Sequence, residues 1–182
     1  MKKLDMTNVQ EAGEFRRPEP GAYHCVITDV KDVEEKEYLK VEIDIAEGEF
    51  KGYYAQSRAD HPDWDWSSVG RYVKSYKQAA LPMFKRFCSA VSKSNGNYVF
   101  DGGAVNSDEK SLIGKHIGII LQGEEYYSNS GDVRIRLNIY SECPVDKIPD
   151  QKVPKLKALK EEPSSNFVNE GFTKAEEAEV PW

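Results

Sequence analysis

The chain has 182 residues, 39% hydrophobic and 31% charged, with 25 Lys+Arg against 31 Asp+Glu and a formal net charge of −6. That is enough for one domain with a real core plus a tail, and no apolar stretch approaches the roughly 20 residues of a membrane-spanning helix. Six Glu and one Lys fall in residues 161–182, leaving 24 Lys+Arg against 25 Asp+Glu in the rest, which excludes a strongly basic non-specific binder but permits a local basic groove.

Residues 1–20 are polar and end in RRPEPG, where Pro18 and Pro20 forbid a regular element. Lys2 and Lys3 precede no apolar run, so the start does not read as a secretory signal. Residues 22–33 are a strand candidate, with Val26, Ile27 and Val30 among polar neighbours. The clearest signal follows. Leu39, Val41, Ile43 and Ile45 alternate with Tyr38, Lys40, Glu42 and Asp44, and period two over eight residues predicts a half-buried antiparallel strand. Gly48 and Gly52 bracket a turn, and residues 53–58 read as the next strand.

Residues 60–68 (DHPDWDWSS) are loop-like, and 69–77 are compatible with a helix. A firmer helix starts near Leu81, with Pro82 suited to its first position. Phe84, Phe87, Cys88 and Val91 then form one apolar stripe. Ser94-Asn95-Gly96-Asn97 ends it. Two strands follow, one with Ile117, Ile119 and Leu121 alternating, the other with Val133, Ile135, Leu137 and Ile139. Residues 128–132 between them have hairpin-turn chemistry. Beyond Pro144 the sequence is Pro- and Lys-rich and reads as a linker.

Five strands with one helix between strands three and four is the order of an OB-fold barrel. An open β sandwich is the alternative, which periodicity does not separate from it. The expected organisation is an N-terminal arm over 1–20, an OB-fold-like, mostly β core over 21–145, and a Lys/Pro linker with an acidic tail over 146–182.

Catalytic chemistry is poorly supplied. His24, His61 and His116 have no second ligand at helical or hairpin spacing. Asp60, Asp63 and Asp65 could in principle hold a divalent cation, but the loop lacks the Gly and terminal Glu of an EF-hand, and a polar turn is the plainer reading. Gly102-Gly103 is not followed by Lys-Ser/Thr. Cys25, Cys88 and Cys143 are far apart, which fits free thiols in a reducing cytoplasm. No catalytic residue, metal site or cofactor is expected.

Binding chemistry is better supplied. Single-stranded nucleic acid is held by cations that track phosphates and by aromatic faces on which bases stack. One cluster is Lys51, Tyr53, Tyr54 and Arg58. A second is Trp64, Trp66, Arg71, Tyr72, Lys74, Tyr76 and Lys77. A third is Tyr126 and Tyr127 with Arg134 and Arg136, which must share the face opposite Val133 and Ile135. Structural alternatives stand beside each. One of Tyr53 and Tyr54 faces the core. Trp64 and Trp66 could cap the barrel, and Arg134 and Arg136 could pair with Glu42 and Asp44. Lys115 is a further candidate contact. The tail carries Glu176, Glu177 and Glu179 before Pro181-Trp182. An acidic strip ending in one large aromatic suits capture by another protein, and it can also compete for a basic groove.

The segments PGAYHCVITDV, EYLKVEIDIAEGEFKGYY, FKRFCSAVSKSN, SLIGKHIGIILQGEEYYSNSGDVRIRLNIY and VDKIPDQKVPKLK, in that order, resemble a family of phage and prophage proteins from low-GC Gram-positive hosts. That family was long filed as a domain of unknown function and is regarded as OB-fold and single-stranded-DNA-binding-like. The resemblance spans roughly residues 20–157. It implies a cytoplasmic, non-enzymatic protein that coats single strands in phage replication or recombination. Its acidic tail would recruit replication or recombination proteins. A phage protein-interaction module, acting as a recombinase or helicase accessory or as an inhibitor of a host enzyme, is the competing expectation. No membrane contact is expected, and a homo-oligomer is compatible with either reading.

Overall fold

The computed structural model describes residues 17–63, 69–103, 108–128 and 130–159. They form a mostly β unit with five antiparallel strands: β1 (Gly21–Val33), β2 (Tyr38–Ile45), β3 (Arg71–Ser75), β4 (His116–Tyr127) and β5 (Val133–Cys143). Helix α1 (Tyr53–Asp60) lies between β2 and β3, and α2 (Leu81–Ser94) between β3 and β4. The sheet order is β3-β2-β1-β4-β5. Its two edges, β3 and β5, approach each other and leave the barrel nearly closed, an arrangement consistent with an OB-like fold.

Two elements differ from their sequence reading. Residues 53–58, expected as a strand, are helical. The reason is a tertiary cap. The buried Asp44 carboxylate, at the end of β2, accepts the N–H groups of Tyr54 and Ala55 at 3.0 Å each, and that of Ile45 at 2.8 Å. Two orphan donors at the N-terminus of α1 are thereby satisfied by a residue ten positions upstream. Conversely, residues 69–77, expected as helical, supply β3. Arg71 pairs with Glu42 and Tyr72 with Val41 on β2, so Tyr72 and Lys74 face inward while Arg71 and Val73 face out. A helix between the third and fourth strands survives because both shifts fall before it.

Two bulges set the remaining faces. In β1 the register shifts between Ile27 and Asp29, so inward residues run Cys25, Ile27, then Val30. In β5 the shift lies opposite Ile120/Leu121, with Leu121 facing Ile139 and Ile120 facing Ser141. Tyr140 is the extra residue and is exposed. The bulge therefore turns Glu142 inward, opposite Ile119, where it is buried. Helix α2 lays Phe84, Phe87, Cys88 and Val91 over the barrel interior, as its stripe predicts, with Phe87 and Val91 fully covered.

The inward Lys74 of β3 meets the inward Glu142 of β5, Nζ to Oε2 at 2.6 Å. Arg86 of α2 donates to the Glu142 carbonyl at 3.2 Å. The stretch after β5, read as a linker, instead lies on the barrel. Residues Val145–Asp150 form a 3₁₀ helix. Lys157 then adds in parallel to β4, exchanging backbone bonds with Gly123 and Glu125 at 2.9 Å each. The final strip up to Leu159 uses the edge of β4 that β1 leaves free beyond Leu121.

Two outcomes follow from this packing. Lys74→Met should destabilise the fold by about 3 kcal/mol in a urea titration, because it strands a buried carboxylate. Adding Glu142→Leu should recover most of that loss, whereas a double variant no better than the single would show that the pair is not the seam. Gly70 has φ +67, and a Cβ there would come within 2.9 Å of the Tyr54 ring. Gly70→Ala should therefore cost about 2 kcal/mol in the same assay.

Candidate nucleic-acid interface

The hairpin β4–β5 extends past the barrel as a two-stranded ribbon with two chemically different faces. On one face the cross-strand pairs are Gln122–Asn138, Glu124–Arg136 and Tyr126–Arg134. On the other, Tyr127 faces Val133 and Glu125 faces Ile135. Tyr127, Val133 and Ile135 are each more than half exposed. The turn at the tip closes with Ser128 N–H to the Asp132 carbonyl at 2.8 Å and Gly131 N–H to the Ser128 carbonyl at 2.9 Å, as its composition predicts.

The polar face is organised by Glu124. Its carboxylate accepts from Nε and Nη2 of Arg136 at 2.9 and 2.8 Å, and also from Asn138 and from Nζ of Lys157. Lys157, Glu124 and Arg136 thus form a row across three adjacent strands. These bonds, Lys157's first and Arg136's next, hold the Glu124 carboxyl down from its ordinary 4.5 to about 2. The Arg136 guanidinium also sits 5.5 Å from the Tyr126 ring centroid, within cation–π range. Arg134 is looser, 3.9 Å from Asp132, with both side chains mostly exposed. Tyr126, Arg134 and Arg136 therefore do share a face, but Arg136 is already charge-compensated, and by Glu124 rather than by Glu42 or Asp44.

A second cationic group lies on the outer surface of β2 and β3. Glu42 receives Arg58 of α1 at 2.9 Å and Arg71 of β3 at 2.5 Å. Arg58 Nη1 is buried and has no hydrogen-bond partner among the described residues. Two guanidinium groups converge on this carboxylate, whose cross-strand partner on β1 is the exposed Asp29, so cations and carboxylates are matched here. Val73 is exposed beside it.

The other expected contacts are dispersed. Lys51 is exposed in the turn before α1. Tyr53 is half-buried, edge-on to Phe50 and Tyr54. Tyr54 is in the core, and burial pushes its hydroxyl pKa up. Lys115 lies over the Tyr98 ring, with Nζ 4.3 Å from the centroid. Tyr72 and Lys74 point inward and are lost to any outer surface. Trp64 and Trp66, with Asp65, lie outside the described residues, as do Glu176, Glu177, Glu179, Pro181 and Trp182. A cleft of about 800 Å³ at one end of the barrel has an apolar floor that includes Phe84 and Phe100. Its rim is acidic, with Asp32, Glu34, Asp108 and Glu109, and it would repel a polyanion.

Sequence reasoning missed three groupings. Arg71 joins Arg58 only because residues 69–77 are strand. Lys157 joins the ribbon only because the assumed linker pairs with β4. His24 and His116 are 92 positions apart, yet their ring nitrogens come within 2.8 Å across β1 and β4. Among the described residues there is no group of three or more His, Cys, Asp or Glu side chains able to hold a metal ion. The three thiols are free and buried. Burial raises the pKa of Cys25 and Cys143 and pushes that of Cys88 up to about 11, so none is poised as a thiolate nucleophile. No helix among the described residues is long and apolar enough to cross a membrane.

No family model matches the chain, and no curated protein matches it.

The Glu124 row sets an acid dependence. A carboxylate whose folded pKa lies below its unfolded value stabilises the fold above the unfolded value and loses that contribution as pH falls through the folded one. The docking of Lys157 on β4 should therefore hold above about pH 4.5 and weaken progressively toward pH 2. Hydrogen exchange at the Glu125 and Lys157 amides reports it, and Glu124→Gln should remove the pH dependence across that window.

Proposed function

We propose that this chain is a non-enzymatic OB-fold protein that binds single-stranded DNA with little sequence preference, in the cytoplasm of a phage-infected or prophage-bearing cell. It would act in DNA replication or recombination. The observation that carries the reading is the polar face of the β4–β5 ribbon, where Tyr126, Arg134 and Arg136 stand together with Arg134 and Arg136 more than half exposed. An aromatic face beside two guanidinium groups is the chemistry that an unpaired strand needs: stacking for a base and charge for its phosphates. Arg71, partly exposed although paired with Glu42, and the exposed Lys51 offer further cationic contacts. The strand order and the helix between β3 and β4 fit an OB-fold, which the sequence resemblance also implies. The acidic end with Pro181-Trp182 would recruit replication or recombination partners. No catalytic residue or cofactor is assigned.

Glu124 tempers this surface. It competes with phosphate for Arg136 and Lys157, so binding should be modest and strongly salt-dependent. Fluorescence titration of the full chain with labelled oligo-dT should show an affinity that falls steeply with salt, because phosphate contacts release counterions. Arg134→Ala with Arg136→Ala should weaken binding by about tenfold or more and flatten the salt slope by about two units. Glu124→Gln should do the reverse, tightening binding. Absence of binding at low salt, both by the full chain and by a chain ending at Leu159, overturns the reading.

The protein-interaction reading is favoured by one observation, the exposed Tyr127, Val133 and Ile135 on the ribbon's other face. An apolar strip of this kind suits a protein partner better than a phosphate backbone. Both readings use the same ribbon from opposite sides.

A further inference from the structure

The outer face of β1 carries a constellation that neither the core nor the ribbon uses. His24 of β1 lies diagonally across the ladder from His116, which pairs directly with Val26. Nε2 of His24 and Nδ1 of His116 are 2.8 Å apart, with ring centroids 4.8 Å apart and planes inclined at 60°. The far nitrogen of His24, Nδ1, is 2.9 Å from Oε1 of Glu47, in the connection after β2. Asn95, just past α2, holds the backbone of His116 from both sides. Its side-chain oxygen accepts the His116 N–H at 2.9 Å, and its amide donates to the His116 carbonyl at 2.8 Å.

This wiring fixes the tautomers. An ionised Glu47 accepts the proton on Nδ1 of His24, so Nε2 of His24 presents its lone pair. His116 then donates its Nδ1–H to that lone pair. If the one proton of His116 moves to its Nε2, both nitrogens present lone pairs to the gap between them with no change in net charge. Two imidazole nitrogens on a tetrahedral zinc, each bonded at about 2.0–2.1 Å, stand about 3.3 Å apart. The pair therefore needs to open by about half an ångström, and its rings to turn until their lone pairs converge, to accept an ion. A carboxylate on the far nitrogen of a liganding histidine is the arrangement that orients such rings and raises their basicity. Paired imidazoles favour zinc, copper and nickel over oxygen-seeking cations.

We propose that His24 and His116 form a two-imidazole clip for a divalent transition-metal ion of the Zn²⁺ class, with Glu47 orienting His24 and water filling the remaining positions. The ion would tie β1 to β4 across their ladder. The inference is independent of the DNA reading and stands or falls on different residues.

Calorimetric titration of the full chain with Zn²⁺ alone tests it. The expected result is saturable micromolar binding that is weakened more than about tenfold in His24→Ala and in His116→Gln, and by about tenfold in Glu47→Gln. His116→Gln keeps a donor toward His24, so the fold has no reason to fail, and an unchanged circular dichroism spectrum checks that. In a ¹⁵N imidazole NMR experiment, Zn²⁺ should move the Nε2 signal of His24 and the Nδ1 signal of His116. Zinc affinity unchanged in the His24→Ala, His116→Gln double variant, or imidazole signals that do not respond, would overturn the proposal.

Discussion

The contact between Lys74 and Glu142 is the constraint on which the barrel depends. The two strands that carry them are the edges of the sheet, and among the described residues no backbone ladder joins them. An open edge is a hazard, because its unpaired N–H and C=O groups invite other strands. Here the seam is drawn together by one buried ion pair, with Arg86 of α2 fastening the Glu142 backbone. Taking both charges out of water costs several kcal/mol, and their attraction returns most of it only in good geometry. What the pair contributes is definition: an inward charge on each edge matches only the other. The match is incomplete, since Glu142 Oε1 and the Tyr72 hydroxyl are buried with no hydrogen-bond partner among the described residues. Tyr72 accordingly has its pKa raised, by burial first and by Glu142 next.

How much of this was legible depended on whether the deciding interaction was local. β2 and α2 could be read directly, because each buries one face along its own length and shows the period that this requires. The hairpin β4–β5 could be read for the same reason. Residues 53–58 could not. Their Tyr-Tyr-Ala-Gln-Ser-Arg sequence fits strand or helix, and the choice was made by Asp44 from another element. β3 was hidden because one of its two inward residues is a lysine, which any hydropathy pattern places outside. Glu142 was hidden by the bulge at Tyr140, which changes which residues of β5 face in. The interface was half legible for the same reason: strand parity put Arg134 and Arg136 on one face, but Glu124 and Lys157 reach them through pairings that no local pattern encodes.

The ribbon separates two kinds of surface by strand parity alone. Arg134, Arg136, Glu124 and the Tyr126 ring occupy one side; Tyr127, Val133 and Ile135, with Glu125 among them, occupy the other. Neighbouring residues of a strand cannot share a side, so Tyr126 and Tyr127 belong to different surfaces despite being adjacent. The carboxylate at the centre of the polar side makes that surface self-satisfied at rest. On the proposed reading, a polyanion would have to displace Glu124 to engage Arg136, so contact there would be an exchange rather than an addition. That would lower affinity and would also suppress sticking to stray anions.

The parallel strip at Lys157 has a consequence for everything that follows it in the chain. It roots the acidic end beside Glu125, on the ribbon itself, where the Leu159 amide donates to the Glu125 carboxylate at 3.1 Å. The Pro181-Trp182 terminus thus follows, about twenty residues on, from a chain position fixed at the edge of β4. On the proposed reading, this anchor would set where on the barrel a partner held by the tail arrives.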